Sequence, residues 1–390
     1  MLLNTTTDIQ FGNFPAIEAW KGGKRVWSRY EYNWIPVNAP SFFWTDIAFG
    51  NNTFVIVGNN AYSYSLDDGA NWSTAIDLKP FTSPEVYASV AYGQDKWVSI
   101  ENIIYAPWGS RNFYTTYDVT TGWNMSTMQH PFTGWSWSDL IYSSYHNKFI
   151  AVGSSAYSQT DNRPLLQLNS SLIGLSSLVS MYSNDGINWL SGNFVSHPNP
   201  EAGYNHIVEG LNMPNHRLVA CGGGGYTKFG YSDDGGEEWT RAIYNPSADG
   251  QNLQFGFSWS QVAYGYDTPH LPLSGRYVSV AAGSPALSGN KRAAYSDDGI
   301  NWKLANDVER NAWNTVTFAN GQFVAIAGYS GSNQTGNLVM TSKDGINWAS
   351  STATSNTTNN WSDLTFGNNR FVACSTNGTN RVMYSNFINT

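Results

Sequence analysis

The side chains that could do chemistry in this sequence stand just behind aromatic residues. Asp46, Asp139 and Asp363 lie two positions after Trp44, Trp137 and Trp361. Ser89 and Gln261 lie two after Tyr87 and Trp259, and Asn205 and Asn314 are taken as their counterparts behind Tyr204 and Trp313. Polar residues recurring at one place in a repeat sit at one level of the fold. Gathered together they could hold an ion or a polar ligand. A carboxylate pair at the right separation could also cleave a glycosidic bond. The plainer alternative is a water-filled polar lining, or side chains bonded to neighbouring backbone.

Other chemistry is absent from the sequence. The six His form no His-x-His or His-Glu-x-x-His pattern, so no metal site is expected. Gly222 to Gly225 lacks the Lys-Ser/Thr of a phosphate loop, no Gly-x-Ser-x-Gly elbow occurs, and no cofactor is expected. A formal net charge of −8 without a Lys/Arg run argues against nucleic acid as a partner. No stretch of about 18 apolar residues implies membrane insertion.

The elements that carry these residues are strand-length pieces in a repeat. Trp-polar-Asp-Leu-x-Phe-Gly recurs at 44–50, 137–142, 259–265, 313–318 and 361–367, with looser copies from Tyr87 and Tyr204. Phe-Val-Ala-Val-Gly follows it seven times, from Phe54 to Phe371. A third piece, Tyr-Ser-x-Asp-Gly-x-Asn-Trp or close to it, ends at Trp72, Trp189, Trp239, Trp302 and Trp348, with a worn copy from Tyr114 to Trp123. Aromatic and β-branched runs split by Asn, Gly and Asp turns read as strands. Four strands per repeat of about 40 to 65 residues make a propeller blade.

The sequence therefore predicts an all-β, seven-bladed β-propeller with four-stranded blades over residues 33–390. The seventh unit runs out at Met383-Tyr384-Ser385-Asn386, before its fourth strand, and Asn33-Trp34-Ile35-Pro36-Val37 resembles that missing piece. The last blade is expected to be closed by this N-terminal strand. Residues 1–32 form a separate arm, a β-hairpin around Gly22-Gly23. Cys221 and Cys374 fall at one strand position in blades four and seven, too far apart for a disulfide, and are expected to be free buried thiols.

Ser65-Leu66-Asp67-Asp68-Gly69-Ala70-Asn71-Trp72 has the spacing of the Asp box, and over residues 33–386 the chain resembles the sialidase-like (BNR-repeat) propellers. The box aspartates Asp67, Asp185, Asp234, Asp298 and Asp344 are expected to build turns rather than to catalyse. Sialidases of that family use three Arg and an Arg-Ile-Pro-like start. The tripeptide is missing here, and Arg is scarce.

Long connections gather on one face, in segments 73–86, 101–113, 124–136, 154–180, 190–203 and 240–258. Their aromatics, Trp108, Phe113, Trp135, Phe194, Phe255 and Phe257, are candidates for stacking on a glycan or anchoring a protein, or else pack their own loops. The hairpin arm is similar to short openings of tailed-phage virion proteins. With the low charge and the lack of a signal peptide, this points to a non-enzymatic virion structural protein made in the host cytoplasm. It would display a propeller on the tail or capsid surface for host attachment through a receptor or glycan. The arm would dock it to other virion proteins in an oligomeric assembly. The alternatives are a cellular protein-binding or assembly-factor propeller, and a sialidase- or xyloglucanase-like glycoside hydrolase.

Overall fold

The computed structural model of the chain describes residues 32–59, 61–77, 86–103, 111–128, 135–155, 178–194, 203–223, 229–244, 258–282, 292–306, 308–328, 337–353 and 358–387, with four short strands before residue 29. Seven sheets of four antiparallel strands, a to d, stand in a ring; six use consecutive strands, and the seventh takes its fourth from Tyr32–Val37. Strand a of each blade touches strand a of the next, and Trp361–Gly367 of blade 7 touches Asp46–Gly50 of blade 1. The protein is a seven-bladed β-propeller.

Local sequence explains each blade. The a–b turns place two consecutive residues at positive φ, at Asn51-Asn52, Gln94-Asp95, Asn320-Gly321 and Asn368-Asn369. That is the two-residue hairpin geometry that Asn and Gly favour. Strand b is buried on both faces: every residue of Thr53–Gly58 and of Gln322–Gly328 is buried. The core therefore lies between blades. Phe229 of blade 4, for example, stacks on Trp302 of blade 5 at 3.7 Å between ring centroids.

The third repeated piece folds as expected of a turn-builder. Asp298 Oδ1 accepts the amides of Ile300 (2.8 Å) and Asn301 (2.7 Å), and Oδ2 accepts the Asn301 side chain (2.7 Å). Ser296 Oγ accepts the Gly299 amide at 2.9 Å, and the Trp302 indole donates to the Gly299 carbonyl at 3.2 Å. Asp67, Asp185, Asp234 and Asp344 accept turn amides in the same way. Burial pushes the Asp185 carboxyl up, but bonds from Asn188, Ile187 and Ser183 outweigh it and hold the group down at about 2.

The boxes also join one blade to the next. At the start of strand b, Lys96, Lys148, Arg217, Arg276 and Arg370 each donate to a backbone carbonyl in the following blade's box, those of Asp185, Asp234, Asp298, Asp344 and Asp68. Four of these cations lie 4.6–4.8 Å from the strand-c tyrosine of their own blade. Thr53 and Gln322 hold this place in the two blades whose successor has a worn box or none. A cation occurs only where the next box offers it a carbonyl.

Closure runs through the N-terminal strand. Tyr32–Val37 pairs antiparallel with Val382–Phe387, with Trp34 opposite Ser385. Tyr32 and Trp34 pack on Phe371 at 4.9 and 6.3 Å between centroids. Two crossovers add a feature the sequence does not announce: Asn193–Phe194 and Ile243–Tyr244 run parallel to the outermost strands of blades 4 and 5 and cover their edges. Asn124–Met128, read as connection, is strand d of blade 2. Glu18–Lys21 pairs with Lys24–Ser28 as a hairpin in a sheet of its own. Cys221 and Cys374 are buried and unpaired.

Trp34 is 7% exposed and belongs to the closing strand alone. Trp34→Ala should lower stability by about 3–5 kcal/mol, the usual range for a buried aromatic truncated to Ala. Urea unfolding of the two proteins checks this; a midpoint unchanged by the substitution would mean the strand does not bear on closure.

Candidate functional site

Each innermost strand presents one unpaired edge to the axis, and the amides on that edge need acceptors. Five of the seven polar positions behind the opening aromatics supply them, each to the next blade. Asp46 Oδ2 accepts the Val90 amide at 2.7 Å, Asp139 Oδ2 that of Ile207 at 2.9 Å, and Gln261 Oε1 that of Val316 at 2.6 Å. Asp363 Oδ2 accepts the Ile47 amide at 3.0 Å across the seam where the ring closes. His206 Nδ1 faces the Val262 amide at 3.5 Å.

A β-bulge prepares this arrangement. In blades 3 to 7 the a–b register slips between the opening aromatic and the residue two positions on, as between Trp361 and Asp363. A bulge re-aims side chains locally. Counting along the bulged strands corrects two assignments. The ring position is His206 in blade 4 and Thr315 in blade 6, not Asn205 and Asn314. These two lie one residue earlier and donate to the Trp259 and Trp361 carbonyls at 2.8 Å.

The ring side chains also bond to one another. Ser89 Oγ lies 2.7 Å from Asp46 Oδ2 and 3.2 Å from Asp139 Oδ1, so one hydroxyl bridges the two carboxyls. Gln261 donates to Asp363 Oδ1 at 2.5 Å, and Asp363 and Asp46 share a side-chain hydrogen bond. His206 Nε2 lies 3.4 Å from Asp139 Oδ2. Burial raises the Asp363 carboxyl well above the usual range, and nearby Asp46 raises it further. Burial raises Asp139 as well, with His206 opposing and Asp46 adding to the shift. Two carboxyls on the axis are thereby biased towards their protonated form.

Two cavities meet at this ring, and Asp46, Asp139, His206, Gln261 and Asp363 line both. The larger, about 490 Å³, opens towards the short a–b turns. Its walls carry Phe49, Tyr92, Tyr142, Glu209, Tyr264, Tyr266 and Phe318. Close packing sets this aromatic girdle: a Cβ on Gly50 would lie 2.2 Å from Tyr92 Cγ, so the strand-ending glycine lets the next blade's ring lie against the backbone. The smaller cavity, about 230 Å³, lies towards the long connections and is lined by Thr45, Ser138, Asn205, Ser260, Asn314 and Ser362 beside the ring. Neither wall includes a Lys or Arg. Among the described residues no group of three or more His, Cys, Asp or Glu is placed to hold a metal ion.

The expected aromatic loop cluster does not form around Phe113. That residue belongs to strand c of blade 2, Arg111–Thr116, is 0% exposed and stacks on Trp189 at 4.5 Å. Trp135 and Phe194 fall in strands Trp135–Ser143 and Asn193–Phe194, and their side chains lie outside the described set. Trp108, Phe255 and Phe257 lie outside the described residues. Sequence reasoning missed the girdle, although in six of the seven blades an aromatic three residues after the ring position was there to be read, blade 4 having Glu209 instead.

No protein-family model matches the chain, and no curated protein matches it. Solved structures do. The GH74 xyloglucanase from Xanthomonas campestris superposes with a TM-score of 0.59 at 13% identity, over 91% of this chain and 53% of that one. The Trypanosoma rangeli sialidase in complex with sialic acid gives 0.48 at 12% identity, over 91% and 57%. The chain thus spans about half the length of these two enzymes. At such identity the likeness to the xyloglucanase establishes the fold. It also corrects the expectation of a non-enzymatic protein: a solved structure that shares this architecture is an enzyme, the GH74 xyloglucanase.

The raised Asp363 carboxyl has a signature in stability. A group whose folded-state value lies above its unfolded one adds stability in full below the unfolded value, near pH 4, and loses it as pH rises through the folded value. Wild type should therefore lose thermal stability from pH 5 to pH 9, and Asp363→Asn should flatten that slope. Parallel melting curves measure it; equal slopes in the two proteins would show that Asp363 ionises as it would in water.

Proposed function

We propose that this propeller is a glycoside hydrolase acting on a neutral polysaccharide, with the reaction centred on the axial ring. The observation that carries the reading is the larger cavity: aromatic walls, carboxyls at its floor, and no cation. Aromatic faces stack on the C–H faces of sugar rings, and a small number of polar groups fixes orientation. Asp46 and Glu209, in a wall without a Lys or Arg, would repel a carboxylate-bearing sugar such as sialic acid. An uncharged glycan, the class to which the substrate of a xyloglucanase belongs, suits the cavity better.

In this mechanism Asp363 is the general acid. Burial holds its proton, which passes to the glycosidic oxygen as the C–O bond breaks. Asp46, hydrogen-bonded to Asp363 and through Ser89 to Asp139, lies on the path by which that proton is restored. A water delivers hydroxide to the anomeric carbon, and its remaining proton enters the same chain of carboxyls. The Gln261 side chain positions Asp363 by donating to Oδ1 while its own oxygen holds the Val316 amide.

A reducing-sugar assay on xyloglucan, mixed-linkage glucan and mannan tests the reading. Wild type should turn over at least one of them, and Asp363→Asn should lower kcat about 10²–10⁴-fold. No release by wild type from any of the three, or equal rates in the variant, would overturn it.

A second reading places the chain on the surface of a tailed-phage virion, where cutting a host glycan would serve attachment. It is favoured by the hairpin of Glu18–Lys21 and Lys24–Ser28, which pairs outside the ring. Removal of residues 1–31 should then dissociate an oligomer seen by light scattering; an unchanged mass would leave the arm without a docking role.

A further inference from the structure

The repeat breaks in one place, and the break leaves a cavity of its own. Blade 2 reads Thr116-Tyr117-Asp118-Val119-Thr120-Thr121-Gly122-Trp123 at its c–d turn. Asp118 keeps the box position, and its Oδ1 accepts the Thr120 amide at 2.9 Å and hydroxyl at 2.7 Å. The asparagine that closes Oδ2 in the boxes of Asp67, Asp185, Asp298 and Asp344 has no counterpart. Asp118 Oδ2 therefore has no hydrogen-bond donor among the described residues. The tryptophan loses its partner too. In the five intact boxes its indole donates to a glycine carbonyl at 3.0–3.3 Å. The Trp123 indole N–H is buried with no acceptor. The ring itself stays held, edge-on to Tyr62 at 5.6 Å.

The aromatic that belongs under the strand-b cation has also moved. Blades 3, 4, 5 and 7 end strand c with a tyrosine beneath it, whereas blade 2 has Thr115 there. Its tyrosine comes two residues later, at Tyr117, which is 70% exposed and keeps Lys96 Nζ more loosely, at 5.9 Å from its ring centroid. Thr116, Tyr117, Asp118, Thr121, Trp123 and Asn124 line a cavity of about 360 Å³.

We propose that this cavity is a second, non-catalytic binding site, for one pyranose unit of a neutral glycan. The ligand class rests on the carbohydrate reading of the axial site; the location rests on blade 2 alone. The fold leaves Asp118 Oδ2 and the Trp123 N–H without partners, Lys96 covers at most one face of the Tyr117 ring, and together these groups match a sugar. Tyr117 offers an exposed ring face, Asp118 Oδ2 accepts from hydroxyls, and the Trp123 indole supplies a donor for a ring or hydroxyl oxygen. A charged sugar is disfavoured, because Asp118 is anionic and the nearest cation, Lys96, already donates to the Asp185 carbonyl at 2.9 Å. Topology puts this c–d turn on the same face as the mouth of the larger axial cavity, so one polysaccharide chain could engage both.

Native gel electrophoresis through xyloglucan, mixed-linkage glucan and mannan reads binding without turnover. Wild type should be retarded in at least one gel. Tyr117→Ala should weaken retention about tenfold or more, and Trp123→Phe, which keeps a ring and removes the N–H, about threefold or more. Exposure of Tyr117 means its truncation leaves the fold intact, which melting curves verify. Retention abolished by Asp363→Asn but unaffected by Tyr117→Ala would place binding on the axis and overturn the blade-2 site, leaving the hydrolase reading standing. No retardation of wild type in any gel would overturn the site as well, and the turnover assay would still decide the axial reading separately.

Discussion

Seven strands standing side by side around an axis leave seven edges with nothing to pair. A buried amide without an acceptor costs about 1–3 kcal/mol. The ring of Asp46, Asp139, His206, Gln261 and Asp363 answers that constraint, with each side chain reaching the backbone of the next blade. Carboxyl groups do this well because two oxygens can serve two strands. The same choice concentrates carboxyls where water is scarce, which is why Asp139 and Asp363 are biased towards holding protons. The chemistry proposed for the axis is a by-product of how the hole in the ring is lined.

The outer rim is joined by different means. There a cation lies on its own blade's tyrosine and donates to the next blade's box. Arg217 shows the logic in full: it also pairs with Asp233 at 2.7 Å, so all its bonds hold the turn of its own blade against the turn of the next. The box is thus a joint between modules as well as a local turn. Where a box is worn, the preceding blade carries Thr53 in place of a cation, and the turn is released from that duty.

How much of this was legible in the sequence depended on whether a feature repeats. Asp67 and its four counterparts repeat, and so do the strands before them; blade number and closure by Trp34 followed from counting them. The level of the ring was legible only in part. At Asn205 and Asn314 the bulge makes two successive residues polar, and polarity alone cannot tell which one reaches the axis. Phe113 was misplaced because Arg111 and Asn112 gave strand c of blade 2 a polar start that looked like loop. Tyr92, Tyr142 and Phe318 passed as ordinary core, since a ring facing a cavity and a ring facing a neighbour share one sequence pattern. The crossover strands at Asn193–Phe194 and Ile243–Tyr244 had no repeat to betray them.

Pairing of Tyr32–Val37 with Val382–Phe387 has a consequence for synthesis on the ribosome. The earlier strand must wait for the later one, with roughly 350 residues between them. At typical translation speeds of about 5–20 residues per second, that delay is roughly 20 to 70 s. Throughout it, Trp34 and Ile35 have no sheet to join, and six blades form an open arc with two raw ends. A nascent chain in that state is exposed to pairing with a neighbour on the same polysome. The polar and proline-containing makeup of the waiting strand, Tyr-Asn-Trp-Ile-Pro-Val, is suited to discourage it.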